Sequence, residues 1–458
     1  MRTRAAKQSD MEFRKGKRQM SKYMEDLISK KIQDMKSDRN VYEVGYVVSV
    51  KEYILEVAGL ESVTFMEKVR IGRHAEGYVN GIHRQTVMVA VVHGADDLYV
   101  GDEVVATGEP FMASYSPDSI SHVIDIFGHD RLCGAAFDEI HPVPVERKTI
   151  PIMDRGTVNR PLETGIAGID LIYPIGKGQR QLILGDKKTG KTQIGLDAIV
   201  NQKGKDVLCI YISVGKTKKD VKQVYDQLLR RGAMGHTIIL AALNDDPQPV
   251  LYLVPYVGLS IAEDYMMEGQ DVLVVIDDLK RHANVHREIS LLSGKAPSRE
   301  AYPPDIFYTH SRLLEKGCQH KNGGSITILP IVETKGGDIT AYIPTNIISI
   351  TDGQLVMSKK NFDKGQKPAI QYGLSVSRLG GAVQTPEVKK LGAVVRRELL
   401  SYLETREIYE LANTDEMSQE MQEKLARGKK ILEKLKQYKF SPMTEGQIIS
   451  SFREIFPE

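Results

Sequence analysis

The residues Gly185-Asp186-Lys187-Lys188-Thr189-Gly190-Lys191-Thr192 fill every fixed position of the pattern G-x-x-x-x-G-K-[ST]. That spacing suits the holding of a phosphate chain. Glycines let the backbone curl until its N–H groups converge on phosphate oxygens. The start of a helix adds positive potential at the same point. Lys191 has the length and charge to reach the β- and γ-phosphates, and the Thr192 hydroxyl is a ligand for Mg²⁺. Downstream, the apolar run Val272-Leu273-Val274-Val275-Ile276 ends in Asp277-Asp278. A carboxylate at the end of a buried strand beside a phosphate loop accepts hydrogen bonds from the metal's water shell, and Asp277 takes that role. Asp278 reads as its neighbour or as a helix cap. The expected ligands are ATP or ADP with Mg²⁺.

These residues need elements to position them. Gln181–Leu184 reads as a buried strand leading into the loop, and Lys191–Gln202 as a helix leading out. Val207–Ser213, Thr237–Ala241, Val272–Ile276 and Ser325–Pro330 are further buried-strand candidates, alternating with helical patterns between about 111 and 386. That alternation predicts an α/β domain with a mainly parallel sheet. Before it, residues 41–110 contain short β-rich runs, Glu43–Val50, Gln85–Val92 and Leu98–Ala106, separated by turn residues. They predict a small β-barrel with no visible chemistry. After it, residues 387–458 are helix-rich, with Val388–Leu411 and Met417–Leu435 as amphipathic helices. Residues 1–40 carry about twice as many basic as acidic side chains. Within them Met20, Tyr23, Met24, Leu27, Ile28, Ile32 and Met35 form one apolar helical stripe, suited to a partner or to the chain's own core. The fold class is therefore multidomain α/β.

The composition excludes several classes. Across 458 residues the net charge is only +2, so the whole molecule is no polyanion binder. Cys133, Cys209 and Cys318 are far apart and lack metal-type spacing, which reads as free thiols in a reducing compartment. No apolar run reaches a membrane span, and the charged N-terminus carries no secretory pattern. Cytoplasmic placement is expected, with other chains supplying any membrane attachment.

Four blocks around the motifs resemble the alpha subunit of the rotary F-type ATPases. They are Pro161–Ile166 with Asp170 and Pro174–Arg180; Arg299–Pro303 with Phe307-Tyr308 and His310–Glu315; Ile343–Gln354; and Pro368–Arg378. The resemblance implies a barrel, a nucleotide-binding domain and a helical domain. It also implies a ring of three alpha and three beta subunits around a central stalk, with the N-terminal helix on a peripheral stalk. No nucleic acid is implied, and contact with the inner face of the cell membrane is only indirect. In catalytic subunits of that family a glutamate follows the strand that corresponds to Val207–Ser213. Here the position falls on Lys216, and an ammonium is a poor general base. The resemblance thus implies a chain that holds nucleotide without cleaving it. It further implies that Arg378 is an arginine finger reaching a neighbouring beta-subunit site, with Ser349 a candidate interface phosphate contact. Gln437 is carried over as a contact in the nucleotide site.

The sequence departs from the family pattern at Gln371, Lys367, Ser298 and Lys439, and its C-terminal region is shorter, implying a thinner collar near the rotor. A specialised motor or export ATPase built on the same ring is one alternative. An RNA-translocating hexameric ATPase is another, although the barrel lacks the interleaved basic and aromatic residues it would need.

Overall fold

The computed structural model describes residues 42–409 and 419–456. The apolar stripe Met20–Met35 lies outside them.

Six antiparallel strands close the expected barrel in the order Glu43–Lys51, Ile54–Ala58, Thr86–His93, Ala75–Ile82, Glu67–Ile71 and Glu103–Pro110. Alternate side chains point inward, so Val47, Leu55, Val69, Val79, Val89 and Val104 fill the interior. The strand expected over Leu98–Ala106 begins only at Glu103. The Asp102 carboxylate accepts from the Tyr99 N–H at 2.8 Å, and Gly101 takes φ +99°, which makes a turn of Tyr99–Asp102.

The central domain is built on a ten-stranded sheet. Its main path runs Val376–Ser377, Gly353–Met357, Gln181–Gly185, Ser325–Glu333, Asp271–Asp277, Val207–Lys216, Thr237–Leu243 and Val123–Ile124. Only the first pairing on this path is antiparallel. Both faces are covered, so the central strands read as near-continuous apolar runs, with polar residues mostly at their ends. Leu208, Ile210 and Ile212 pack into one layer, with the long helix Gln248–Met267. Cys209 and Tyr211 pack into the other, with the helix Lys191–Val200. The C-terminal ends of the strands share one edge, where open parallel sheets place their ligands.

Two polar contacts mark the elements of the first layer. Glu263 and Lys316 form a buried ion pair at 2.7 Å, each side chain almost fully removed from solvent. The helix Leu279–Leu292 starts at Asp278 and runs toward the barrel, where Asn80 Nδ2 donates to Ser293 Oγ at 3.3 Å.

The C-terminal helices are Pro386–Tyr409, Gln419–Lys434 and Glu445–Arg453. The third was not among the elements expected individually. Its signature is a reciprocal cap between Thr444 and Gln447. Val395, Leu399, Ile431 and Phe452 join these helices to the second layer of the central domain.

Candidate nucleotide site

The strand Gln181–Gly185 delivers the chain into the glycine-rich loop. Gly185 has φ +155°, and a Cβ there would lie 2.5 Å from the Met357 carbonyl oxygen, so no other residue fits. Gly190, at φ +94°, turns the chain into the helix Lys191–Val200. The first N–H groups of that helix have no intrahelical acceptor, which leaves them for an anion. Asp186 ties the loop down from behind: its carboxylate accepts from Thr334 Oγ1 at 2.7 Å and the Gly337 N–H at 2.8 Å. Its carbonyl accepts from Thr189 Oγ1 and, at 2.6 Å, from Lys191 Nζ. Lys187 points outward, 3.7 Å from Glu333. Lys188 sits at φ +61° in the loop and lines the cavity beside it.

Lys191 is buried, and desolvation pushes its amine below the usual lysine range. An anion would remove that penalty. Lys191→Ala is expected to weaken nucleotide affinity by about 10- to 100-fold, the scale of one or two charge-assisted hydrogen bonds. Titration of the purified chain with a fluorescent ATP analogue measures it, and unchanged affinity would remove Lys191 from the site.

Beside the loop, one carboxylate oxygen collects three donors. Asp277 Oδ2 accepts from Thr192 Oγ1 at 2.6 Å, Lys216 Nζ at 2.7 Å and the Tyr211 hydroxyl at 2.8 Å. Tyr211 and Lys216 are an odd number of residues apart on one strand and would face opposite ways in an unbroken ladder. The register slips between Val214 and Lys216, with Gly215 at φ +66°, and this bulge swings Lys216 onto the Tyr211 side. Burial and the Asp277 hydrogen bond push the Tyr211 hydroxyl well above its ordinary pKa. Asp278 Oδ1 accepts from the Arg281 N–H at 2.7 Å, the helix-cap role anticipated for it. Burial, reinforced by Asp277, raises its carboxyl to about 6.

Among the described residues no group of three or more His, Cys, Asp or Glu side chains is arranged to hold a metal. Thr192 and Asp277 nevertheless supply the hard oxygen donors that suit Mg²⁺, which also keeps water and phosphate ligands. The donor set fits such an ion, and Lys216 already neutralises part of the Asp277 charge.

A cavity of about 660 Å³ opens over the loop. It follows the helix from Lys191 to Asp197, a run of about 9 Å at ~1.5 Å per residue. Phe362, Pro368, Ala369 and Tyr438 give it an apolar wall, suited to a flat ring. Gln437 lines it, but its amide is spent on backbone: Nε2 donates to the Gly165 and Ser441 carbonyls at 2.6 Å, and Oε1 accepts from the Ala167 N–H at 3.1 Å. It holds two walls together. Lys439 lines the cavity next to it, and Lys367 Nζ lies 5.1 Å from the centre of the Phe362 ring. Sequence reasoning missed Tyr211 and Asp197. Burial raises the Asp197 carboxyl to about 6, while it accepts from the Phe440 N–H and Gln193 Nε2, both at 2.8 Å. Neither residue carries a motif, because each acts through a partner distant in sequence.

Arg378 and Ser349 lie outside this cavity but beside each other. Both are exposed. Arg378 Nη2 donates to the Ile348 carbonyl at 3.3 Å, and Ser349 Oγ to the Thr345 carbonyl at 2.9 Å. The Arg378 N–H donates to the Asp352 carbonyl at 2.8 Å. Asp352 in turn is gripped by the Arg180 fork, at 2.7 and 2.9 Å. The guanidinium is thus carried on an anchored backbone by an exposed side chain held through one long hydrogen bond.

Residues 165–377 match the family model described as ATP synthase alpha/beta family, nucleotide-binding domain. Over longer stretches the chain is similar to proteins named ATP synthase subunit alpha. It is 41% identical to that of Lactobacillus delbrueckii subsp. bulgaricus over 429 residues, covering 92% of this chain and 84% of the other. For Lactobacillus johnsonii the figures are 42% over 422 residues, 91% and 83%. For Staphylococcus epidermidis they are 39% over 430 residues, 93% and 85%.

Proposed function

Because the chain belongs to the family of ATP synthase alpha subunits, we propose that it is the nucleotide-holding, largely non-catalytic member of a rotary ATPase ring and lends Arg378 to a neighbouring subunit's catalytic site. The observation that carries the non-catalytic part is the Lys216–Asp277 pair at 2.7 Å. Hydrolysis needs a carboxylate free to orient and polarise water. The position after the strand holds an ammonium instead. Of the other carboxylates lining the cavity, Asp197 is committed to Phe440 and Gln193, and exposed Asp220 to the Thr217 hydroxyl at 2.7 Å.

In this reading the base of ATP or ADP lies against Phe362 and Tyr438, and the phosphates lie on the loop and Lys191. Thr192 would hold a Mg²⁺ ion and Asp277 would accept from its water; the ion adds charge neutralisation between phosphate oxygens. Beta-type subunits alternate with this chain around a central stalk, and a peripheral stalk takes the N-terminal segment. No helix among the described residues is long and apolar enough to cross a membrane. In this reading other subunits attach the ring to the inner face of the cell membrane. Family membership over nine-tenths of the chain favours this reading over an RNA-translocating ATPase.

The purified chain alone is expected to bind ATP and to hydrolyse it negligibly. Equilibrium binding and phosphate release, measured on the same preparation, separate the two. Turnover near the roughly 10 s⁻¹ of an ordinary enzyme would overturn the proposal.

A further inference from the structure

We propose that Lys216 takes over much of the charge neutralisation that a divalent cation would provide, so that this chain holds its nucleotide with little dependence on metal. The inference rests on the nucleotide reading above and adds a property to that site.

Three observations converge on it. The Lys216 ammonium stands 2.7 Å from Asp277 Oδ2, on the same oxygen that takes the Thr192 hydroxyl. With Tyr211 also donating, that oxygen's lone pairs are already occupied by protein donors. The second observation is the backbone that puts the ammonium there. A regular strand would aim Lys216 away from Tyr211, and the bulge at Gly215 reverses it. The Lys216 carbonyl accepts from the Asn244 N–H at 3.0 Å, which fixes the strand end. Third, Lys216 lines the same cavity as Lys191 and keeps about a quarter of its side chain exposed, so an entering phosphate meets it.

The electrostatics follow. A nucleoside triphosphate brings several negative charges to a phosphate loop that has buried Asp277 against Thr192 and Asp278 next to it in the chain. Without a counter-charge those carboxylates repel it. In most phosphate loops the metal supplies that charge and bridges phosphate oxygens. Here a cation is built into the chain. Its flexible stem and three donors let it share itself between Asp277 and a phosphate oxygen. Together with Lys191 it places two ammonium groups at the phosphate end, at no cost in metal capture.

The test compares nucleotide affinity with millimolar Mg²⁺ and with excess EDTA, using the purified full-length chain and a fluorescent ATP analogue. For the natural sequence the dissociation constant is expected to change by no more than about threefold between the two conditions. For Lys216→Gln, which keeps length and polarity but not charge, EDTA is expected to weaken binding by about 10- to 100-fold, the worth of a lost charge-assisted contact. Lys216→Arg should behave as the natural chain. Binding by the natural chain that collapses in EDTA would overturn the inference while leaving the nucleotide reading standing. Failure to bind in either condition would remove both. Because the first comparison needs no variant, a misfolded substitution cannot shelter the idea.

Discussion

Arg378→Ala lowers the kcat of the reconstituted ring by about 10³-fold or more and changes KM little; this is the largest effect expected of any substitution in the chain. The guanidinium is exposed and outside the cavity of its own chain, which fits the proposed role of a donor to a neighbouring subunit. An arginine fork stabilises charge spreading over a transferring phosphoryl group, charge that is greatest in the transition state. The loss therefore falls on kcat. Structure supplies the control. Among the described residues the side chain makes a single exposed hydrogen bond, to Ile348, so removing it costs the fold no more than about 0.5 kcal/mol. Assembly and nucleotide binding to this chain should be unchanged. Lysine should rescue poorly, since it lacks the planar fork. The experiment combines mutant chain with wild-type catalytic partners and measures steady-state kinetics. Activity within a few-fold of wild type would show that Arg378 is not the finger.

The second large effect is on stability. Lys316→Met is expected to destabilise the central domain by about 3–5 kcal/mol, because it strands Glu263 as an uncompensated buried charge. Glu263 is already poorly provided for: Oε2 takes Lys316, while Oε1 has no hydrogen-bond partner among the described residues. Burial raises its carboxyl, and the Lys316 charge opposes that rise. Removing both charges, as in Lys316→Met with Glu263→Leu, should recover most of the loss, since a well-packed apolar pair replaces a buried ionic one at little cost. Urea unfolding of the three proteins decides it. A single substitution that costs less than about 1 kcal/mol, or a double no better than the single, would show that the pair is not desolvated as the geometry indicates.

The parts of this molecule that could be read from the sequence are those encoded locally. The phosphate loop lies in consecutive residues, and the strand and helix flanking it follow from an apolar run and the glycines. Asp277 announced itself because a long apolar run ends in it. The barrel was legible as a class, yet Ile54–Ala58 and Glu67–Ile71 are too short and mixed in pattern to stand out, and their register depends on partners as distant in sequence as Pro110 is from Glu67. Lys216 was visible as an unsuitable base, but its bond to Asp277 depends on a bulge at Gly215 that no periodicity reveals. Gln437 shows the converse. Its position marks it for the nucleotide site, and it lines the cavity, but the bracing of backbone by its amide depends on Gly165 and Ala167, far away in sequence. Residue type and position set what a group is able to do, and neighbours from other elements decide whether it is still at liberty to do it.

The helix Leu279–Leu292 joins the two halves of the chain in a way that resembles a lever. One end is capped by Asp278, the residue next to the carboxylate of the phosphate site; the other end is followed by Ser293, bonded to Asn80 of the barrel. Fourteen helical residues form a stiff rod of about 21 Å. A tilt of about 5° at the capped end would displace the far end by roughly 2 Å over that length. A distance probe spanning Asn80 and Ser293, read with and without nucleotide, would therefore show whether filling the phosphate site moves this helix against the barrel.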